Sequence, residues 1–292
     1  MTPDDAAALI DEATRAAVPY RLHWRSPSPR PGAHGGRPLG MGGAFRGFAP
    51  LMDFPDPRRI DVRMTLRDPF GGLYVRRLEQ RSAATVYVLA DVSASMAFEG
   101  RAAKLRLLAT LSAALAISAH QYGDPFGFIG CDETIREELF LPATAKRGLE
   151  VEIVRRLMAF TPSGRGALGL VEAARQLGGR RKLVFLVSDF HMPLAHVEAI
   201  LEALSRHDVA PVMLHDSAED VDLPRWGLAA LTDMETGRRR LAVMRPALHE
   251  RWRRHARARE AALERLCSRY ARPLTRLTNR LDTRALWEAL SA

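Results

Sequence analysis

The stretch ATVYVLADVSAS, residues 84–95, decides the fold of this 292-residue chain. Its first seven residues form a continuous apolar run rich in β-formers, which is typical of a strand buried on both faces. A carboxylate and two hydroxyls follow at once, in Asp91, Ser93 and Ser95. In open parallel sheets, ligands bind outside the carboxyl ends of the strands. The stretch therefore predicts both a buried strand and a polar site at its end.

The same pattern recurs along the chain and predicts the fold class. Further apolar strands are expected at 126–130, 182–188 and 209–214. Helical patterns lie at 4–17, 101–119, 148–159, 167–177, 194–206, 246–271 and 283–290. Apolar strands that alternate with helices predict an α/β fold, with a Rossmann-like parallel sheet and helices on both faces. Strands 84–90 and 182–188 are expected side by side, and DMETG at 233–237 predicts a hairpin turn.

Composition shifts set the expected domain boundaries. Residues 1–82 are expected to form an N-terminal helix, a basic Pro- and Gly-rich loop at 25–50 and a β-rich lead-in, all packed on the main domain. Residues 83–245 are expected to hold the α/β domain, and residues 246–292 the C-terminal helices.

Composition also excludes several classes of protein. A chain that is 47% hydrophobic and 26% charged is ordinary globular material. No apolar run reaches the roughly 18 residues that a membrane span needs. Cys131 and Cys267 do not make a disulfide framework, and the acidic N-terminus lacks the basic start of a signal peptide. A soluble, cytoplasmic protein is expected.

The net charge of +9 is concentrated in two segments, residues 20–81 and 245–272, which we call the basic flanks. The first holds 12 Arg against five acidic residues, and the second nine Arg against three. Basic segments bind nucleic acid, anionic lipid or acidic proteins. Because no nucleic-acid-binding motif accompanies the charge, the pattern favours an acidic protein partner, with no nucleic acid and no direct membrane insertion.

Two strand ends are expected to bring oxygen ligands together. Asp91, Ser93 and Ser95 follow the first strand, and Asp189 follows strand 182–188. Two carboxylates and two hydroxyls are hard oxygen ligands, which suit Mg²⁺. In the alternative interpretation, the serines cap the next helix and Asp91 orders the turn. The spacing alone leaves both open.

The order of these elements resembles the von Willebrand factor A domain and its metal-ion-dependent adhesion site. Residues 53–61 (DFPDPRRID), 73–79 (LYVRRLE), 207–212 (HDVAPV) and 233–237 narrow the resemblance. They are similar to a bacterial von Willebrand A-like domain of unknown function that is associated with MoxR-type AAA+ ATPases. Some members are MxaS-like and are encoded in methanol-dehydrogenase gene clusters. The resemblance covers about residues 45–245.

The resemblance implies a non-enzymatic adaptor that binds protein partners. It implies a MoxR-type ATPase and a client protein complex as partners, in a chaperone role that matures the client or inserts its metal; methanol dehydrogenase is such a client in MxaS-like members. It also implies Mg²⁺ as cofactor, held by Asp91, Ser93, Ser95 and Asp189. The site is degenerate, because Gly166 stands in place of the usual Thr. Weak Mg²⁺ binding is therefore expected.

An enzyme is the alternative. GRGALG at 164–169 matches G-x-G-x-x-G, a dinucleotide-binding pattern that requires a strand directly before it. The pattern at 148–159 is helical instead. The pair Asp91 and Asp189 could also serve metal-assisted hydrolysis, but the sequence shows no paired base and nucleophile. His191 is expected to be a loop residue rather than a ligand.

Overall fold

The structure is a computed structural model of residues 1–292, and it describes all of them except 1–2, 18, 27, 29, 40–44, 222–225, 233–238 and 292. The strands are β1 (Pro31–Leu39), β2 (Phe45–Pro50), β3 (Tyr74–Ser82), β4 (Val86–Asp91), β5 (Phe126–Cys131), β6 (Ile135–Thr144), β7 (Leu183–Ser188), β8 (Asp208–His215), β9 (Gly227–Thr232), β10 (Arg239–Met244) and β11 (Thr275–Thr278). The helices are α1 (Pro3–Arg15), α2 (Val62–Arg67), α3 (Lys104–Gln121), α4 (Leu149–Ala159), α5 (Gly169–Gln176), α6 (Leu194–Ala203), α7 (Ala218–Val221), α8 (Pro246–Tyr270) and α9 (Thr283–Ser291).

The chain forms two compact units. The larger comprises residues 1–21, 85–121 and 125–292, and the smaller residues 22–84 and 122–124. The stretch 1–82, expected as one N-terminal region, is thus shared between them, because α1 belongs to the larger unit.

The larger unit is built on a six-stranded sheet in the order β11-β8-β7-β4-β5-β6. All neighbours run parallel except β6, which pairs antiparallel with β5. In the register of β4 and β7, Ala90 lies opposite Val187, so the carboxyl ends of both strands meet at one edge. The α/β fold class and the side-by-side placement of these two strands are confirmed.

Helices cover both faces of this sheet. On one face α1, α3 and α4 pack together, and their contact is a cluster of buried Leu, Ala and Val side chains. On the other, α5, α6 and α8 pack on alternate residues of the central strands, Leu89 and Leu186 among them. Each fully buried aliphatic side chain of this kind contributes about 1.5–3 kcal/mol. This burial holds the strand ends in place.

Both cysteines lie in this core as buried free thiols. Cys131 is the last residue of β5 and lies opposite Asp91 in the register, whereas Cys267 lies in α8. Burial raises the pKa of both thiols, that of Cys267 to about 12. At neutral pH neither thiol has appreciable thiolate character.

The smaller unit is an antiparallel sheet in the order β1-β3-β2. The expected loop at 25–50 was wrong, since β1 and β2 both pair with β3. Gly32 shows one reason: a Cβ there would lie 2.4 Å from the backbone of Ala83, so glycine permits the close approach. In this segment glycine allows strand pairing rather than preventing it.

Two strands of the large sheet escaped the sequence pattern. β6 mixes charged residues with buried Leu139 and Leu141, and β11 has only four residues. Both are edge strands, where an apolar run is not required. β9 and β10 pair antiparallel as expected of a hairpin, but the predicted turn at 233–237 lies outside the described residues.

None of the helices in the described parts of the chain has the length and hydropathy needed to cross a bilayer.

Candidate functional site

Four neighbouring parallel strands each deliver an aspartate to the carboxyl edge of the sheet. Asp91 ends β4, while Asp132, Asp189 and Asp216 directly follow β5, β7 and β8. All four are buried. Because a buried carboxylate is stable only with partners, the partners of each aspartate define the chemistry of this edge.

Asp91 is held by hydroxyl and amide groups. The Ser188 hydroxyl donates to Asp91 Oδ2 at 2.7 Å, and the Ser93 backbone N–H donates to Oδ1 at 2.9 Å. The Ser93 and Ser95 hydroxyls lie 3.2 Å apart and share a hydrogen bond. Burial and the charge of Asp189 raise the pKa of Asp91 to about 6, although the hydrogen bonds from Ser188 and Ser93 lower it. Asp91 therefore orders the turn, as the alternative interpretation proposed.

Asp189 is held by cationic groups. Lys104 Nζ lies 2.8 Å from Asp189 Oδ2, and His191 Nδ1 lies 3.3 Å from the same oxygen. Lys104 also forms an ion pair with Glu219. Burial raises the pKa of Asp189, but the hydrogen bond with His191 and the charges of His191 and Lys104 outweigh burial and hold it well below its usual range. The Asp189 carboxylate is thus ionised and already compensated.

Lys104 owes its position to Asp216. The Asp216 carboxylate accepts hydrogen bonds from the backbone N–H groups of Gly100, Arg101 and Ala102, at 3.0, 2.9 and 3.0 Å. These residues directly precede α3, whose first residue is Lys104. Burial raises the pKa of Asp216, but the hydrogen bonds from these amides and from the Ala218 amide outweigh burial and hold the pKa below its usual value, so the group is an ionised anchor. The anchor places the start of α3 beside the end of β7.

The glycines of the motif at 164–169 pack closely against residues that follow β5. A Cβ on Gly164 would lie 2.1 Å from Asp132 Oδ2, and one on Gly169 would lie 2.4 Å from the backbone of Thr134. Both glycines therefore serve close packing. The motif is preceded by α4 rather than by a strand, so the dinucleotide-binding alternative lacks the context that it requires.

The loop that should supply the threonine ligand differs from the implied pattern. Gly166 has φ +93°, a left-handed conformation that a β-branched residue such as Thr rarely adopts. The nearest hydroxyl residues that precede Gly166 in the sequence, Thr161 and Ser163, line a groove together with Arg136, Arg155 and Arg156.

The predicted ligand residues are brought to one edge, but they do not fit a divalent cation as one set. Asp91, Ser93 and Ser95 are of the right ligand type, and the charge of Asp189 reaches Asp91. Asp189, however, is already neutralised by an ammonium group. Asp189, His191 and Glu219 could also hold a metal, since their ligand atoms lie within 4.8 Å of one another, but Lys104 contacts both of these carboxylates. Mg²⁺ at the four predicted residues stays a prediction.

Sequence reasoning missed Lys104, Asp216 and Glu219, and it took His191 for a plain loop residue. A signal for two of them exists. A lysine in a helix read as buried requires an anionic partner, and Asp216 follows the fourth apolar strand just as Asp189 follows the third. Glu219 carries no comparable signal.

Helix α8 borders this edge. Arg259 donates through Nη2 to the carbonyl oxygens of Phe190, at 2.5 Å, and Met192. Phe190 has φ 54°, so the arginine braces a strained turn directly after Asp189. N-terminal to Arg259, residues 251–258 of α8 are exposed. Its basic surface includes a groove lined by Leu248, Arg251, Trp252, Arg254 and His255.

Comparisons with known proteins place the chain in a family and give several relatives. The family described as "Protein of unknown function DUF58" matches residues 55–262. A Paracoccus denitrificans protein, "Uncharacterized protein in moxR 3'region", is 41% identical over 97 residues, which are 33% of this chain and 92% of that protein. An uncharacterized Mycobacterium tuberculosis protein is 28% identical over 232 residues, 78% of this chain and 72% of its own. An aerotolerance-related membrane protein from Bacteroides fragilis is similar in structure at 16% identity, covering 71% of this chain and 96% of that one, with a TM-score of 0.41.

Proposed function

The chain belongs to the DUF58 family, and from that premise we propose that it is a non-enzymatic adaptor working with a MoxR-type AAA+ ATPase. The adaptor binds the ATPase and a client protein complex, and it assists maturation of the client or insertion of its metal. A methanol dehydrogenase is the client in the MxaS-like form of this proposal.

The observation that carries the proposal is the relative from Paracoccus denitrificans. Its name places its gene in the moxR 3' region, and this chain covers 92% of it at 41% identity. Genes that lie together commonly encode proteins that act together, so a MoxR-type ATPase is the first partner to test.

The surface of α8 supports a binding role. Arg253, Arg254 and Arg257 are exposed on the first half of the helix, next to half-exposed Trp252. Exposed aromatic and arginine side chains are the residue types that dominate protein interfaces. Their positive charge would steer an acidic partner toward the edge of the sheet.

The state of the carboxylates supports binding rather than catalysis. A general base must lie within hydrogen-bond reach of a substrate proton. Asp91 instead accepts from Ser188 and Ser93, and Asp189 pairs with Lys104. Their oxygens are engaged within the fold, so the acidic edge supports a surface rather than presenting a reactive group.

The test is association with the ATPase, measured by biolayer interferometry over a range of salt concentrations. We expect association to slow as salt rises, because exposed charges are screened beyond a Debye length of about 10 Å at 0.1 M. The substitutions Arg253→Glu, Arg254→Glu and Arg257→Glu together should slow association by about tenfold or more and change dissociation little.

The matched control is Arg175→Glu, Arg180→Glu and Arg206→Glu, which makes the same charge change at exposed positions outside α8. It should leave association within about threefold of wild type. Equal slowing by both triple variants would show that the net charge of the chain, and not the surface of α8, sets the association rate. Absence of binding by the wild type at low salt would refute the proposed partnership.

A further inference from the structure

The acidic cluster beside β7 already contains a cation. Lys104 is 2% exposed, and its ammonium nitrogen lies 2.8 Å from Asp189 Oδ2, whose side chain is 1% exposed. The same ammonium pairs with Glu219, whose side chain is 18% exposed. An unpaired buried charge is very unfavourable, and here one positive charge faces two negative ones. Lys104 therefore already supplies a buried counter-ion to both carboxylates.

The fold holds this ammonium in place. Asp216 binds the three backbone amides that precede α3, and Lys104 follows two residues after the last of them. The ring of Phe98 lies under the ammonium, 5.7 Å from its nitrogen to the ring centre. Most surface lysines are mobile and solvated. Lys104 is instead fixed from its backbone to its tip.

We propose that Lys104 is the resident cation of this edge, a covalently attached substitute for a divalent metal ion. The ammonium and a metal ion exclude each other at Asp189, because like charges at contact distance in a buried site repel strongly. This inference concerns the chain alone and does not depend on which partner it binds.

The charge of Lys104 also determines whether the neighbouring side chains can bind a metal ion. Without the lysine charge, Asp189 and Glu219 would be two uncompensated carboxylates with the His191 imidazole between them. Two carboxylates and one imidazole, with ligand atoms within 4.8 Å, form a set that binds Mn²⁺, Zn²⁺ or Co²⁺. Removing the lysine charge should therefore open a metal site that the wild type lacks.

The experiment measures Mn²⁺ binding to the purified chain, by electron paramagnetic resonance of the free ion and by calorimetry. The wild type should bind no Mn²⁺ in a way that depends on Asp189. Lys104→Met, which keeps the length of the side chain and removes its charge, should bind Mn²⁺ at least about tenfold more tightly than the wild type. Adding Asp189→Asn to that variant removes a direct ligand, so it should weaken binding at least as much as the loss of an outer-shell partner, about 10–100-fold.

Two lysine variants serve as controls. Lys104→Arg keeps the charge and should gain no metal site. Lys182→Met removes a lysine whose ammonium donates hydrogen bonds to the backbone carbonyls of Leu177, Gly178 and Arg180, and it should gain none either. A gain in Lys182→Met equal to that in Lys104→Met would overturn the proposal, as would a wild-type Mn²⁺ site that Asp189→Asn removes.

A second measurement covers the case in which Lys104→Met does not fold. Reductive methylation of the wild type should leave Lys104 unmodified, both without and with millimolar Mg²⁺ or Mn²⁺, because the ammonium stays buried. Mass spectrometry of the digest reports the modification of each lysine. Metal-dependent methylation of Lys104 would show that the ion displaces it, and the proposal would fail.

Discussion

Asp91 and Asp189 both lie at the carboxyl ends of adjacent strands, yet their surroundings are opposite. Asp91 faces hydroxyl and amide donors, and burial together with the charge of Asp189 raises its pKa to about 6. Asp189 faces Lys104 and His191, which hold its pKa low despite burial. A carboxylate at a strand end therefore does not have a fixed role. The partner that other elements bring to the carboxylate decides whether the carboxylate stays ionised.

The largest expected effect comes from removing the Lys104 ammonium, which makes the surroundings of Asp189 differ from those of Asp91. Lys104→Met should lower the free energy of unfolding by about 3–5 kcal/mol, because it leaves two carboxylates without their buried partner. Urea denaturation at neutral pH measures it. Lys182→Met should cost about 1 kcal/mol or less, and similar losses in both variants would contradict the comparison.

Replacing Asp91 should change the free energy of unfolding by an amount that depends on pH. The pKa of Asp91 is raised in the folded state, so its contribution is fully present below pH 3.8 and is lost as pH rises through about 6. Asp91→Asn does not titrate. Its stability relative to wild type should therefore increase by about 2–3 kcal/mol between about pH 4 and pH 7.

Thermal or urea unfolding at several pH values measures this difference. A constant difference across the range would show that Asp91 is ionised throughout. The two aspartates would then be alike, and the contrast between them would disappear.

The contribution of Asp216, at the same edge, to stability should depend on pH in the opposite direction to that of Asp91. Its folded pKa is lowered by backbone amides, so its contribution is present above pH 3.8 and is lost as pH falls further. Asp216→Asn should destabilise the protein by about 2 kcal/mol at neutral pH, through weaker hydrogen bonds to four backbone amides, those of Gly100, Arg101, Ala102 and Ala218. The loss should shrink in acid. A loss that grows in acid would contradict the assignment of Asp216 as an ionised anchor.

The smallest expected effect lies just beyond the edge. Changing Arg253, Arg254 and Arg257 together to Glu should alter the free energy of unfolding by no more than about 0.5 kcal/mol per site, because all three are exposed. Differential scanning calorimetry measures the shift. A large destabilisation would mean that α8 is packed along its whole length. The buried charges of this edge could then not be distinguished from exposed charges on α8.

The sequence was most informative where chemistry is local. Apolar runs predicted β4, β5, β7 and β8 because strands covered on both faces admit few polar residues. The carboxylates Asp91 and Asp189 could be placed at one edge from topology alone, since parallel neighbours end on the same side.

The partners of these carboxylates could not be predicted in the same way. Lys104 meets Asp189 across 85 residues of chain, and no spacing rule links the start of one helix to the end of a distant strand. The resemblance to metal-dependent adhesion sites directed attention to an external cation, and it gave no signal for the lysine that pairs with Asp189. The loop expected at 25–50 failed for a related reason, because only the backbone of Ala83 shows why Gly32 can lie in a strand.

The two buried thiols can serve as internal probes of local opening of the fold. Cys131 lies opposite Asp91 at the sheet edge, and Cys267 lies in α8 against one face of the same core. A small alkylating reagent reaches a buried thiol only when its surroundings open, so the labelling rate counts opening events. Lifting α8 exposes Cys267 first, and separation of the strand ends is needed for Cys131. The order in which the two react therefore tells which layer of the protein opens first.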